Sequence, residues 1–263
     1  MCDRPEVRAR MARDRFSRFA RALQSPVRKL FAALGFDLQY VGRVASDIPD
    51  RAAYQPRLRP WLFAQWQRRF APTRGRTLVT DDRLYVLAAL LEQALSSEGD
   101  VVECGVYLGG SARLLLETIR SRAAQRFLYL CDTFTGMPDA DPSADLHRKG
   151  DFSDASLARV REDLAEATEV VIVPGVIPQS LAPLALRRFC FVHVDLDLYA
   201  SVLAAARFFY DLVTPGGFLV FDDYGFSSTP GARRAVDEFF ADKREVPLVL
   251  ASGQCVVFKA PAT

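Results

Sequence analysis

The sequence lacks the common short signatures of several large function classes. It has no GxGxxG and no GxxxxGK[ST], which counts against NAD and ATP as ligands. The five cysteines, Cys2, Cys104, Cys131, Cys190 and Cys255, show no CxxC spacing, and the last four lie inside strand-like apolar runs. An odd, scattered set reads as reduced thiols in a cytoplasmic protein rather than a disulfide framework or a zinc site. No apolar run approaches the roughly 18 residues of a membrane span, and the N-terminus has no continuous apolar h-region, so neither a span nor a signal peptide is expected. Fixed-period repeats and low-complexity tracts are missing too.

What is present is a chain of 263 residues, half of them hydrophobic, enough for one large domain or a domain with an appendage. A net charge of +2 conceals an asymmetry. Residues 1–76 carry 17 Arg and Lys against 6 Asp and Glu, a balance of +11, which leaves −9 for residues 77–263. The division proposed is a basic helical appendage or lid, 1–76, and a body, 77–263. Nucleic acid is not an expected partner, because the basic surface should then lie on the folded body. In the appendage, Phe16, Phe19, Leu23, Val27, Leu30 and Leu34 recur at helical spacing, broken at Ser25-Pro26 and closed by Gly35. Such helices can pack on the body or on a second copy in a homo-oligomer, or dock residues 1–34 peripherally on an anionic membrane surface. Residues 47–76, rich in Pro and Arg, read as a loop and short helix able to cover a pocket.

From residue 81 the pattern is a helix marked by Leu84, Leu87, Leu91 and Leu95, then strands alternating with helices. The strands are DVVEC, FLYLCDTF (127–134), VVIVPG (170–175), CFVHVDLD (190–197) and FLVFDD (218–223). Helices are expected over 154–167, 200–213 and 231–243. VPLVLA and CVVFKA follow, separated only by Ser252-Gly253-Gln254, a connection that can join only antiparallel strands. The expected fold is α/β: a doubly wound, Rossmann-like seven-stranded sheet, parallel except for a C-terminal antiparallel hairpin, with an N-terminal helical appendage. That order of elements is the class I methyltransferase order.

Open α/β sheets bind ligands beyond the C-terminal ends of their strands. The first such end is the glycine turn Glu103-Cys-Gly105-Val106-Tyr107-Leu-Gly109-Gly110-Ser111. Gly105 permits a tight turn and close approach of backbone to a ligand. Glu103 needs a positive partner, either the ammonium of a methionine moiety or an arginine of the appendage. Asp132 ends the second strand, where a carboxylate can accept the ribose hydroxyls of an adenosine cofactor or cap a turn. Thr133 and Phe134 could line the adenosine pocket, Gly136 turns the loop away, and Gly175 ends the third strand. The fourth and fifth strands finish in Asp195 and in Asp222-Asp223. Three carboxylates on neighbouring strand tips repel one another unless solvated or shared by a hard cation, for which oxygen ligands select Mg2+. Asp197 is expected to cap the next helix, His193 to be a satisfied core histidine, and His147 to sit in a polar loop, 139–149, from which it could reach the substrate, although loop histidines usually carry no role.

The blocks VVECGVYLGGSA, CDTFTGMP, GDFSDASLARVR, FVHVDLDLYASV, TPGGFLVFDDYG and GARRAVDEFF resemble, in order and spacing, the macrocin O-methyltransferase family (TylF/MycF type) over about residues 77–259. The resemblance implies a class I methyltransferase fold, S-adenosyl-L-methionine as cofactor and a bound Mg2+. It puts the cofactor on Glu103, Gly105, Tyr107, Asp132, Thr133, Phe134 and Gly136, and the metal on Asp195, Asp222 and Asp223. The expected activity is Mg2+-dependent O-methylation of a sugar or polyol hydroxyl, with Asp195 taking the proton. A catechol-type enzyme, with Trp61, Trp66 or Tyr224 stacked on an aromatic diol, a membrane-surface glycan methyltransferase and a non-catalytic relative remain open.

Overall fold

A computed structural model describes residues 58–260. The N-terminal helices and the membrane-docking reading of residues 1–34 lie outside the described residues. The first described segment has a 3-10 turn at Pro60–Leu62, helix α1 (Ala64–Phe70) and a second 3-10 turn at Ala71–Thr73, and it belongs to the same compact unit as the chain that follows. Its tryptophans pack on a tyrosine. Trp66 meets Tyr85 edge to face at 4.7 Å, and Trp61 lies 6.1 Å from the same ring. Tyr85 belongs to helix α2 (Asp81–Ala94), which reproduces the expected leucine helix. Arg69 bonds Glu92 at 2.9 Å and Thr118 at 2.9 Å, tying α1 to α2 and to helix α3 (Gly110–Ser121).

Five parallel strands carry the site: β1 (Asp100–Cys104), β2 (Leu128–Asp132), β3 (Val170–Pro174), β4 (Phe189–Val194) and β5 (Val213–Phe221). Two C-terminal strands, β6 (Leu248–Val249) and β7 (Cys255–Phe258), complete a seven-stranded sheet of order β3-β2-β1-β4-β5-β7-β6. β7 inserts between β5 and β6 and runs antiparallel to both. Leu250–Gln254 is too short for anything but that reversal. The remaining helices are α4 (Leu157–Asp163), α5 (Tyr199–Phe209) and α6 (Pro230–Phe240). Each is shorter than its expected span. Ser156 caps α4 by accepting the Arg159 N–H at 3.4 Å, so the helix starts three residues late. α5 ends before β5, whose ladder begins at Val213, five residues ahead of the expected FLVFDD strand, and takes in Pro215-Gly216-Gly217. The pairing with β4 slips there, between Phe189 and Phe191.

The period of two along each strand divides the core into two layers. Val101, Leu128, Leu130, Phe191 and Val220 pack with α2, α3 and α4 on one face. Val102, Tyr129, Val192, Leu219 and Phe221 pack with α5 and α6 on the other. Leu87 is fully buried in the first layer. Leu87→Ala should cost about 2–5 kcal/mol of stability, read as a lower urea midpoint with an unchanged denaturant slope.

Candidate active site

The carboxyl ends of β1, β2, β4 and β5 surround a cavity of about 340 Å3. At β1 the chain leaves the sheet through Gly105, φ +90°. A Cβ there would lie 1.7 Å from the Asp195 carbonyl oxygen, so only glycine lets β1 and β4 close together at the cavity floor. Val106 and Tyr107 donate backbone N–H bonds to Asp132 Oδ2 at 2.7 and 3.0 Å, and Phe134 donates to Oδ1 at 2.7 Å. Tyr107 and Phe134 both have positive φ, +52° and +55°, an unfavourable conformation that these charge-assisted bonds offset. One carboxylate therefore shapes two turns. Of the expected cofactor residues, Gly105, Val106, Tyr107 and Ser111 line the cavity from the β1 side. Asp132, Thr133, Gly136 and Gly175 line it from the β2 and β3 side.

Glu103, Gly109 and Phe134 are not among the lining residues. For Glu103 this corrects the expectation of a ligand ammonium. Its register partner on β4 is His193, and Oε1 lies 3.0 Å from His193 Nδ1, both side chains being fully buried. His193 Nε2 in turn lies 3.6 Å from Asp222 Oδ1. Burial alone would lower the His193 pKa. Hydrogen bonds and charges of Asp222 and Glu103 outweigh it and push the imidazole up to about 10. Asp222 is held further by Gln254 Nε2, at 2.8 Å from Oδ1, and by Arg83, whose guanidinium grips Oδ2. Arg83 sits in the first turn of α2, donates also to the Leu78 carbonyl at 2.8 Å, and lies over Phe226 at 5.0 Å. The periodicity that marked α2 identified its apolar face and gave no sign that Arg83 would cross to β5.

Asp195, Asp222 and Asp223 each offer one oxygen, and these three atoms lie within 4.8 Å of one another. Asp223 Oδ2 accepts N–H bonds from Leu196 and Asp197 at 3.1 and 2.9 Å, fixing the turn after β4 to the tip of β5. Asp197, at φ +57°, lines the cavity and does not cap the following helix as expected. The N–H of Tyr199, first residue of α5, is taken by Asp145 Oδ1 at 2.8 Å, from the loop after β2. The same loop delivers His147 to the cavity wall. Trp61, Trp66 and Tyr224 are absent from the lining, which removes the aromatic platform suggested for a catechol acceptor.

The site's electrostatics follow from this crowding. Burial, then the charge of Asp222, raises Asp223 to about 6; burial, then the charge of Asp223, raises Asp197 to about 8. Burial and the charges of Asp222 and Asp223 hold Asp195 well above the carboxylate range. Asp222 alone is lowered, because His193 and Arg83 outweigh its burial.

This geometry has relatives. The solved O-methyltransferase NovP matches with a TM-score of 0.64 at 26% identity, over 71% of this chain and 83% of that one. Together with the strand order, the match defines a Rossmann-like methyltransferase fold. The mycinamicin III 3''-O-methyltransferase of Micromonospora griseorubida is 29% identical over 186 residues, 64% of this chain and 71% of that protein. A Streptomyces olivaceus enzyme, the 8-demethyl-8-(2,3-dimethoxy-alpha-L-rhamnosyl)-tetracenomycin-C 4'-O-methyltransferase, is 28% identical over 182 residues, 64% and 69% of the two chains. The family model of macrocin-O-methyltransferase (TylF) matches residues 42–260, beginning well before the blocks that carried the resemblance. The chain belongs to that family and is an S-adenosylmethionine-dependent O-methyltransferase. Among the described residues no helix is long and apolar enough to cross a membrane.

Two stability predictions follow from the charges. A carboxyl raised in the folded state favours folding when protonated, so its contribution declines as pH climbs from about 4 through about 8. The raised His193 gives stability that is complete below about 6.5 and lost towards about 10. The slopes have the same sign, so without divalent cations the thermal midpoint should fall by several degrees between about pH 5.5 and about pH 8.5. Asp222→Ala leaves Arg83 and His193 buried without their shared anion and should cost about 3–5 kcal/mol in chemical denaturation.

Proposed function

We propose that the enzyme methylates a hydroxyl of a sugar or glycosylated natural product, with Mg2+ held by Asp195, Asp222 and Asp223. The observation that carries this reading is a single cavity joining the glycine turn and Asp132 to Asp195 and Asp223 of the carboxylate cluster; Asp222, fully buried, is not among the lining residues. The donor set fits a hard cation: oxygen ligands only, within mutual reach, on strand tips where burial and mutual repulsion raise two of the three carboxyls, Asp195 and Asp223. Asp222 is the ligand with least freedom, since both its oxygens already meet protein donors. When bound, Mg2+ would neutralise the cluster and lower the pKa of an acceptor hydroxyl. S-adenosylmethionine is the methyl-donating substrate; its adenosine and methionine parts would lie along Gly105–Tyr107, Ser111, Asp132, Thr133, Gly136 and Gly175.

The chain's own residues then orient and exclude. Asp132 keeps the β1 and β2 turns in one shape before any ligand arrives, so little reorganisation accompanies binding. Leu78, Val79, Met137 and Ile177 line the same cavity and give an apolar wall beside the polar cluster. That pairing suits an acceptor with a hydroxylated end and an apolar body. Relatives named for a rhamnosyl tetracenomycin and for mycinamicin III support a glycosylated acceptor.

The test is transfer of labelled methyl from S-adenosylmethionine to methyl α-L-rhamnopyranoside and to a catechol, side by side. Turnover on the glycoside, lost with a chelator and restored by Mg2+, is expected. Asp195→Ala should lower it by about 100-fold or more while leaving S-adenosylhomocysteine affinity, by calorimetry, within about threefold. Turnover indifferent to the chelator would remove the metal from the reading, and preference for the catechol would remove the sugar.

A further inference from the structure

His147 lies between β2 and α4 and lines the cavity. Its Nδ1 is 3.0 Å from Asp151 Oδ2. Asp151 also accepts the Arg148 N–H at 3.0 Å, and that bond, then the one with His147, holds its carboxyl below the ordinary range. An ionised carboxylate can only accept, so Nδ1 carries a proton, and the neutral ring is the tautomer whose lone pair is on Nε2. Nε2 faces Asp197 Oδ1 at 3.8 Å, beyond hydrogen-bond reach, so that lone pair is not engaged by Asp197.

The ring is also fixed in place. It lies 5.5 Å from Phe152, which meets Tyr107 of the glycine turn edge to face at 6.0 Å. Tyr107 is anchored by its hydroxyl to Asp154 at 2.6 Å. On the other side of the loop, Asp145 joins the N-terminus of α5, and Gly231 of α6 packs so close that a Cβ would meet Asp145 Oδ1 at 2.0 Å. The histidine is therefore braced between the methyl-donor end of the cavity and the acidic cluster. Asp195 and Asp223 are poorer proton acceptors for the reaction, since on the reading above their oxygens hold the cation and Asp223 Oδ2 already accepts two amides.

We propose that His147 is the catalytic base of the methyl transfer, replacing Asp195 in that role, and that Asp151 is its positioning residue. As the acceptor oxygen forms its bond to the methyl carbon, the O–H bond breaks and the proton passes to His147 Nε2. The methyl–sulfur bond breaks with its electron pair remaining on sulfur, which leaves S-adenosylhomocysteine. Asp151 stabilises the resulting imidazolium, which returns its proton to water once the product leaves. This rests on the sugar-methylating reading above.

Two measurements test it. The chain has only two histidines, so 15N-labelled histidine gives two ring systems, and His147→Gln identifies one by its loss. The ring so assigned to His147 should, in its neutral form, carry its proton on Nδ1, and Asp151→Asn should shift it towards the Nε2-protonated tautomer; an Nε2-protonated neutral ring in the unaltered protein overturns the proposal. On the glycoside, His147→Ala should lose turnover by about 100- to 1,000-fold, with KM for S-adenosylmethionine and affinity for S-adenosylhomocysteine unchanged. Added imidazole should restore about tenfold of that loss in His147→Ala and none in Asp195→Ala. Retained turnover, or loss of turnover together with cofactor affinity and without imidazole rescue, overturns the proposal. Failure of the unaltered enzyme on the glycoside overturns the acceptor reading instead, and the ring tautomer still decides for or against His147.

Discussion

The site depends on Asp222, a buried anion at the tip of β5 that two cations and an amide hold in place. Glu103, His193, Asp222 and Arg83 form a line of alternating charge across β1, β4, β5 and the first turn of α2. With His193 protonated, the line sums to zero. Alternation is what makes its burial tolerable, because each charge has an opposite neighbour in a region of low dielectric. It also fixes the register at which α2 meets the sheet, since Arg83 must reach Asp222 while Leu84 and Leu87 enter the core.

That neutrality has a consequence for the residues beside it. Among the described residues the two cations that act on Asp195, Asp197 and Asp223, His193 and Arg83, already belong to the line. All three carboxyls are raised, by burial first and then by one another's charges or that of Asp222. On the proposed reading a divalent ion relieves that repulsion. Backbone amides hold several acids of the site. Asp132 takes three, Asp223 two and Asp145, in the loop after β2, two. Each bond set joins segments far apart in sequence, which is how a cavity walled by loops is shaped before a ligand enters.

The fold was largely legible in the sequence because its evidence is local. Strand periodicity, glycine turns and the short Ser252–Gln254 link survive without knowledge of neighbours. The site was legible only as far as it, too, is local: the glycine turn, Asp132 and the acids after β4 and β5 sit where strand ends must put them. What stayed hidden depends on strand order and on loop paths. Glu103 finds His193 because β1 lies beside β4 rather than because of anything near either residue in the chain. Asp197 was assigned to a helix cap that Asp145, more than fifty residues away, provides. Nothing in the composition of residues 47–76 shows that Tyr85 and Glu92 offer Trp61, Trp66 and Arg69 a packing surface on α2.

The charge balance of the cavity also bears on which group takes the proton. Methyl transfer destroys a positive charge, since the sulfonium becomes a neutral thioether. If a cluster carboxylate accepted the proton, the charge would be lost at one place and a ligand of the cation neutralised at another, weakening the cation's hold in mid-reaction. If His147 accepts it, a new positive charge arises beside Asp197 as the sulfonium charge vanishes, and the carboxylates keep their number of positive neighbours throughout. Asp151, ionised and fixed by the Arg148 amide, stands on the far side of the ring to stabilise that charge. On the proposed reading, a base outside the metal's ligands would let the cluster hold and orient the acceptor without also changing its own charge, and the loop after β2 is the element that brings His147 to the cavity.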